Sequence, residues 1–345
     1  MEGTVIRIRS ALCEVDAGDA VYECKVRGRL VDNDTGESKP LAVGDRVILT
    51  AVGGGEGVVE QVLPRRTKLS RTSPRGQHTE HVIVANVDQL LIVTSVRVPP
   101  LTPGIIDRYI IAGETGRLEP ILCINKTDQA DDPAEYEDVA GMYESLGYRV
   151  LRTSALQRRG LDGLRAALRD RSTVFAGHSG VGKSSLLNAL QPGLKLRTGP
   201  VTTKGRHVTT YASLLKLSFG GYVVDTPGIR EFTLWDIRKV EVAQFFPHIW
   251  ELSADCRMPD CVHMHEPHCA VKAAVESGEL DAERYHSYVR IVEGIEEIEV
   301  PRATDVEQPQ EQVAKKQRRQ SRSTRKQAVR HRWREELAWD DDETP

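Results

Sequence analysis

Residues 121–130 read ILCINKTDQA. The apolar run ILCIN predicts a buried strand, and it leads directly into Asn125-Lys126-Thr127-Asp128. N-K-x-D at a strand end is a guanine-reading pattern. The Asp128 carboxylate can accept from both N1–H and the 2-amino group of guanine. Adenine offers neither donor and would leave the carboxylate unpaired, so discrimination between the bases is large. Most chains that read guanine this way place the pattern well after the phosphate-binding loop. Here the candidate phosphate loop, GHSGVGKS at 177–184, follows it by some fifty residues. The fold depends on whether one site can be assembled from that reversed order.

Gly177-His178-Ser179-Gly180-Val181-Gly182-Lys183-Ser184 fits G-x-x-x-x-G-K-[ST] and lies between the apolar run STVFAG and the helical pattern SSLLNAL, the context the motif requires. Glycines let backbone N–H groups turn inward around phosphates. Lys183 reaches the β- and γ-phosphates, and the Ser184 hydroxyl ligates magnesium. Ser185 follows in the first turn of the helix, whose N-terminal end is positive. Asp225-Thr226-Pro227-Gly228 follows the run GYVVD. Asp225 at that strand end is placed to hold magnesium through water, and the Gly228 N–H to contact the γ-phosphate. Thr153-Ser154-Ala155 resembles the short loop whose backbone N–H meets guanine O6, with Ser154 and Ala155 as base contacts. Base-reading motifs therefore come first and phosphate motifs second, a circular permutation. A parallel sheet tolerates this, because the site is built from strand-end loops wherever the chain is cut.

Around this core the chain changes texture. It has 345 residues, is 39% hydrophobic and 28% charged, and carries a net charge of −3; two or three globular domains are expected. Residues 1–65 alternate short apolar runs with turn-prone breaks such as VDNDTGESKP and VGGGEG, which predicts an OB-type β-barrel. Residues 66–81 read as a basic linker. Residues 82–240 alternate strands and helices, which predicts a mainly parallel sheet with helices on both faces. No apolar run reaches transmembrane length, and MEGTVIRIRS lacks the apolar core of a signal peptide. A cytoplasmic protein, without a membrane partner, is expected.

A third, mainly helical domain is expected over 241–300. Cys256-x4-Cys261-x-His263-x5-Cys269 offers three thiolates and an imidazole, a set suited to one structural, tetrahedral zinc ion. His265 or His268 could replace His263. Residues 301–345 form a tail with ten Lys or Arg between 315 and 334 and no acid among them. Such an arm repels itself and is expected to stay disordered until it meets a polyanion, and RNA is the expected one.

The order of barrel, permuted GTPase and Cys₃His module resembles the ribosome small-subunit-dependent GTPase family, RsgA/YjeQ. The motifs that carry the resemblance are NKTD, GHSGVGKSSLLN, GRHVTT, DTPGIREF and CRMPDCVHMHEPHC, within roughly residues 1–300. It implies a bacterial GTP hydrolase of late small-subunit maturation, with barrel and zinc module gripping rRNA and the subunit stimulating hydrolysis; a monomer that binds GTP and GDP is expected. Val208 stands where the family's G-x-H-T-T-T pattern has threonine. Two other classes compete: a regulatory GTPase with a protein or membrane partner, and a nucleotide-binding RNA scaffold without turnover.

The residue after D-x-x-G, often a water-orienting Gln, is here Ile229, which cannot hydrogen-bond water. His207 in GRHVTT is the candidate in its place, and the resemblance points to the same histidine. Thr209 is expected to ligate magnesium, with Thr203 the second choice.

Overall fold

The computed structural model describes residues 1–9, 12–27, 41–72, 79–194, 212–225 and 234–295. The first five strands are β1 (Glu2–Arg9), β2 (Leu12–Asp16), β3 (Val21–Val26), β4 (Arg46–Gly53) and β5 (Glu56–Val62). They are ordered β1-β2-β3-β5-β4, and β4 pairs back onto β1 to close a barrel. Closure follows from the period-two alternation of the sequence. Val5, Cys13, Val15, Cys24, Val47, Leu49 and Val59 all turn inward and form one buried cluster. The expected barrel is therefore present. The run TVIRIRSALCEVDA, which reads as one strand, divides into β1 and β2, an antiparallel pair.

The segment read as a basic linker contains ordered structure. β6 (Lys68–Thr72) pairs antiparallel with β7 (Glu80–Ala85). Leu69, Val82 and Val84 are buried under the hairpin, while Lys68 meets Glu80 at 2.6 Å.

The second sheet comprises β8 (Gln89–Ser95), β9 (Glu119–Asn125), β10 (Arg149–Arg152), β11 (Ser172–Ala176), β12 (Ser213–Lys216) and β13 (Tyr222–Asp225). Its order is β10-β9-β8-β11-β13-β12, with every pair parallel except β12–β13. Helices α1 (Pro103–Thr115), α2 (Ala134–Ser145), α3 (Leu161–Leu168) and α4 (Lys183–Leu190) cover it. Every residue of β8 is buried, because both faces are covered. Leu90 and Ile92 join the cluster that holds Ile106 and Tyr109 of α1 and Tyr143 of α2. Leu91 and Val93 join the opposite cluster with Leu164 and Leu168 of α3 and Leu186 and Leu187 of α4. Barrel and sheet meet where β1 pairs with β12, through Arg7 opposite Ser213.

The C-terminal module has a 3₁₀ turn (Lys239–Phe245), α5 (Pro247–Ser253), α6 (Ala270–Glu276) and α7 (Ala282–Glu293). Asp281 caps α7 by accepting the Arg284 N–H at 2.8 Å. Phe246, Ile249, Val271, Tyr288 and Ile291 form its core, and Ile111 of α1 belongs to the same cluster, so α7 packs on the sheet domain.

Candidate functional site

The parallel strands β9, β8 and β11 end on one edge, and their loops converge there, the edge at which such sheets bind ligands. Asn125 is the last residue of β9, and Gly177 follows the last residue of β11. The chain separates these two loops; Asn125 joins them. Its amide Nδ2 donates to the Val181 carbonyl inside the phosphate loop at 2.9 Å. Its Oδ1 accepts from the Ala155 N–H and the Thr153 hydroxyl, both at 3.2 Å. Asn125 is 1% exposed, so losing any of these bonds would strand a buried polar group.

Close packing at the junction requires glycine. A Cβ on Gly182 would lie 2.4 Å from Asn125 Nδ2, and the residue has φ +101°. A Cβ on Gly177 would lie 2.0 Å from the Val93 carbonyl oxygen of β8. Lys183 opens α4, and its ammonium donates to the carbonyls of Gly177 at 2.6 Å and His178 at 3.1 Å. Ser184 and Ser185 are half-buried in the first turn of the helix; His178 and Gly180 are exposed, and Ser179 is half-buried.

Lys126 adopts a left-handed conformation, φ 59°, at the turn out of β9, and its ammonium donates to Val98 O at 2.7 Å. The Thr127 N–H and hydroxyl both bond Thr153 O. Asp128 is half-buried, and the Ser154 hydroxyl donates to its Oδ1. The sequence pattern assigns Ser154 and Ala155 to base contact only. The structure gives them a holding role as well, Ser154 on Asp128 and Ala155 on Asn125. A hydroxyl adjacent to a strand-end loop is too common a feature to signal this.

Asp225 ends β13 beside β11. Gly228, His207, Thr209 and Thr203 lie outside the described residues.

In the C-terminal module Cys256, Cys261, His263 and Cys269 present donor atoms that all lie within 4.8 Å of one another. Cys256 Sγ is 3.5 Å from His263 Nδ1 and 3.8 Å from Cys269 Sγ, and Cys269 Sγ is 3.5 Å from the same nitrogen. Zinc–sulfur bonds of ~2.3 Å and a zinc–nitrogen bond of ~2.05 Å make tetrahedral edges of about 3.8 and 3.6 Å. The three pairs among Cys256, His263 and Cys269 have those lengths and Cys261 Sγ lies within 4.8 Å of the others, so these residues fit the ion. His265 and His268 are not part of it. Burial pushes the Cys261 and Cys269 thiols upward, a cost that a divalent cation removes by binding the thiolates. Glu266 closes the turn by accepting the N–H groups of Val262, Met264 and His265 at 2.7, 2.9 and 3.1 Å. The Tyr285 and Tyr288 hydroxyls hold the carbonyls of His263 and Val262.

The RsgA GTPase family model matches residues 62–235, and the RsgA N-terminal domain model matches residues 2–59. A relative from Moorella thermoacetica, "Small ribosomal subunit biogenesis GTPase RsgA", is 42% identical over 84% of this chain and 95% of its own. The chain belongs to the RsgA GTPase family. Another relative, "Small ribosomal subunit biogenesis GTPase RsgA 2" of Bacteroides thetaiotaomicron, is 36% identical over 86% of this chain and 98% of its own. The crystal structure of YjeQ from Thermotoga maritima is similar with a TM-score of 0.65 and 38% identity, covering 85% of this chain and 97% of the other. YloQ, described as a circularly permuted GTPase, gives a TM-score of 0.61 and 35% identity over 85% and 93%. The RsgA family membership makes the enzyme class a GTPase.

Proposed function

We propose that this chain binds GTP with magnesium at the Asn125–Gly182 junction, hydrolyses it, and acts in maturation of the small ribosomal subunit. One observation carries the reading: Asn125 ties the base-reading turn to the phosphate loop, so a single nucleotide can span both despite the permuted order. Asp128, oriented by Ser154, reads guanine. Lys183 leaves the loop carbonyls for the β- and γ-phosphates. Ser184, with Thr209 and, through water, Asp225, would hold magnesium, which neutralises charge developing on the phosphates. The Gly228 N–H contacts the γ-phosphate, and His207 orients the attacking water.

The Cys₃His cluster is read as a structural zinc site, since all four donors belong to the chain and the ion's role is to hold the turn between α5 and α6. The barrel, the zinc module and the basic tail contact rRNA. The protein acts as a cytoplasmic monomer. No helix among the described residues is long and apolar enough to cross a membrane. The proposed domain boundaries are 1–65, 66–81, 82–240, 241–300 and 301–345, with the β6–β7 hairpin running across the boundary at 81. Equilibrium binding of fluorescent GTP, GDP and ATP to the wild type and Lys183→Ala tests the site. Guanine-selective binding lost on substitution supports it; unchanged binding contradicts it.

A further inference from the structure

Helix α1 contains two residues that the site described so far does not use, and they face different parts of the molecule. Asp107 is 2% exposed, yet it carries a carboxylate. Arg284 of α7 pairs with its Oδ1, the Ser287 hydroxyl of α7 donates to its Oδ2 at 2.6 Å, and Tyr143 of α2 donates to Oδ1 at 2.9 Å. Arg284 is itself 9% exposed, with its guanidinium 4.4 Å from the ring centre of Phe246. A buried ion pair of this kind tolerates neither the loss of one partner nor much displacement, because either change strands a charge in an apolar surround. The zinc module is thereby fixed to α1 at one position.

Two residues further along α1, Tyr109 is 3% exposed and reaches the other way. Its hydroxyl lies against the backbone N–H of Gly177, the first residue of the phosphate loop. Tyr109 belongs to the buried cluster that also contains Ile92 of β8 and Val174 and Ala176 of β11, the strand that delivers the loop. It also lines a cavity of about 230 Å³ whose wall includes His178 and Val181. Gly177 therefore leaves no room for a Cβ against the Val93 carbonyl, and the Tyr109 hydroxyl faces its N–H.

We infer that Tyr109 is a positioning residue for the phosphate loop, and that the Asp107–Arg284 pair makes this positioning depend on the docked zinc module. The inference rests on the assignment of residues 177–184 as the phosphate loop. Tyr109 touches no nucleotide; it sets the backbone that does. Removing its hydroxyl leaves the Gly177 N–H without that partner and lets the loop relax. Removing the Arg284 charge shifts α1 and releases the same contact from a distance.

The experiment measures GDP and GTPγS affinity of the full-length, zinc-containing protein by fluorescence titration. Tyr109→Phe is expected to weaken both nucleotides about fivefold, the worth of one net hydrogen bond. The preference for guanine over adenine is unchanged, because β9 and residues 153–155 hold the base-reading turn. Arg284→Met weakens both by a similar factor, Arg284→Lys recovers part of the loss, and adding Tyr109→Phe to Arg284→Met causes less than a twofold further change. Zinc content and melting temperature verify that each variant folds; if Arg284→Met does not, Ser287→Ala takes its place. Wild-type affinity of Tyr109→Phe, or effects that simply multiply in the double variant, would overturn the inference. Lys183→Ala serves as the control. If it also binds normally, the loop assignment is wrong; if it alone loses binding, only the role of Tyr109 falls.

Discussion

At the residue scale, the site depends on small side chains with no tolerance for enlargement and polar ones with no spare partners. Gly182→Ala would drive a methyl group into Asn125 Nδ2 at 2.4 Å and force a non-glycine residue into φ +101°. Nucleotide affinity should fall at least tenfold, read by titration with fluorescent GDP, while zinc content is unchanged. Asp128→Asn tests the base-reading assignment, since only a carboxylate accepts from the 2-amino group. The variant should lose GTP affinity by about two orders of magnitude and gain xanthosine triphosphate, which carries an oxygen there. Retention of GTP affinity without that gain contradicts the assignment. These residues were legible in the sequence because phosphate and guanine impose fixed spacings on the loops that bind them. Asp107 and Arg284 were not. They lie 177 positions apart, and each reads as an ordinary solvated charge on an amphipathic helix until the two helices are packed together.

At the scale of elements, short apolar runs separated by turn-prone breaks foretold the barrel, and the succession of strand and helix patterns foretold the parallel sheet. What sequence pattern missed was β6 and its pairing with β7. Lys68, Arg71, His81 and Glu80 give this stretch the composition of a solvated linker. The buried positions Leu69, Val82 and Val84 are too few to outweigh them in a sequence reading. The hairpin also supplies the Thr72 hydroxyl that holds Leu234 O at 3.0 Å, where the chain enters the C-terminal module. That module depends on its four ligands in turn. Cys261→Ser leaves three donors, and the expected outcome is loss of bound zinc in elemental analysis and earlier melting of α6 and α7. Guanine preference should persist, because Asn125 and Asp128 are held by the sheet. Zinc-free protein purified without chelator, with α6 and α7 intact by hydrogen exchange, would contradict the structural role.

At the scale of the whole molecule, the permuted order places the segment after Asp225 in direct covalent line with the C-terminal module, and β12 pairs with the barrel strand β1. The barrel thus joins the sheet at its β12 edge, while the C-terminal module docks on α1. The tail, which lies outside the described residues, carries ten Lys or Arg between 315 and 334. Deleting residues 312–345 should flatten the salt dependence of binding to the small subunit, by about 0.7–0.9 in the log–log slope for each phosphate that the shortened chain no longer neutralises. An unchanged slope would show that the tail neutralises none. The central claim is that hydrolysis is completed by the subunit through His207, since Ile229 cannot position water. Single-turnover GTP hydrolysis, with and without saturating small subunits, tests it most directly when wild type is compared with His207→Ala at equal GTP occupancy. The account predicts strong stimulation of the wild type and loss of a few hundredfold in the variant, about 3–4 kcal/mol of transition-state stabilisation. Equal stimulation of the two proteins, or none of the wild type, would contradict it.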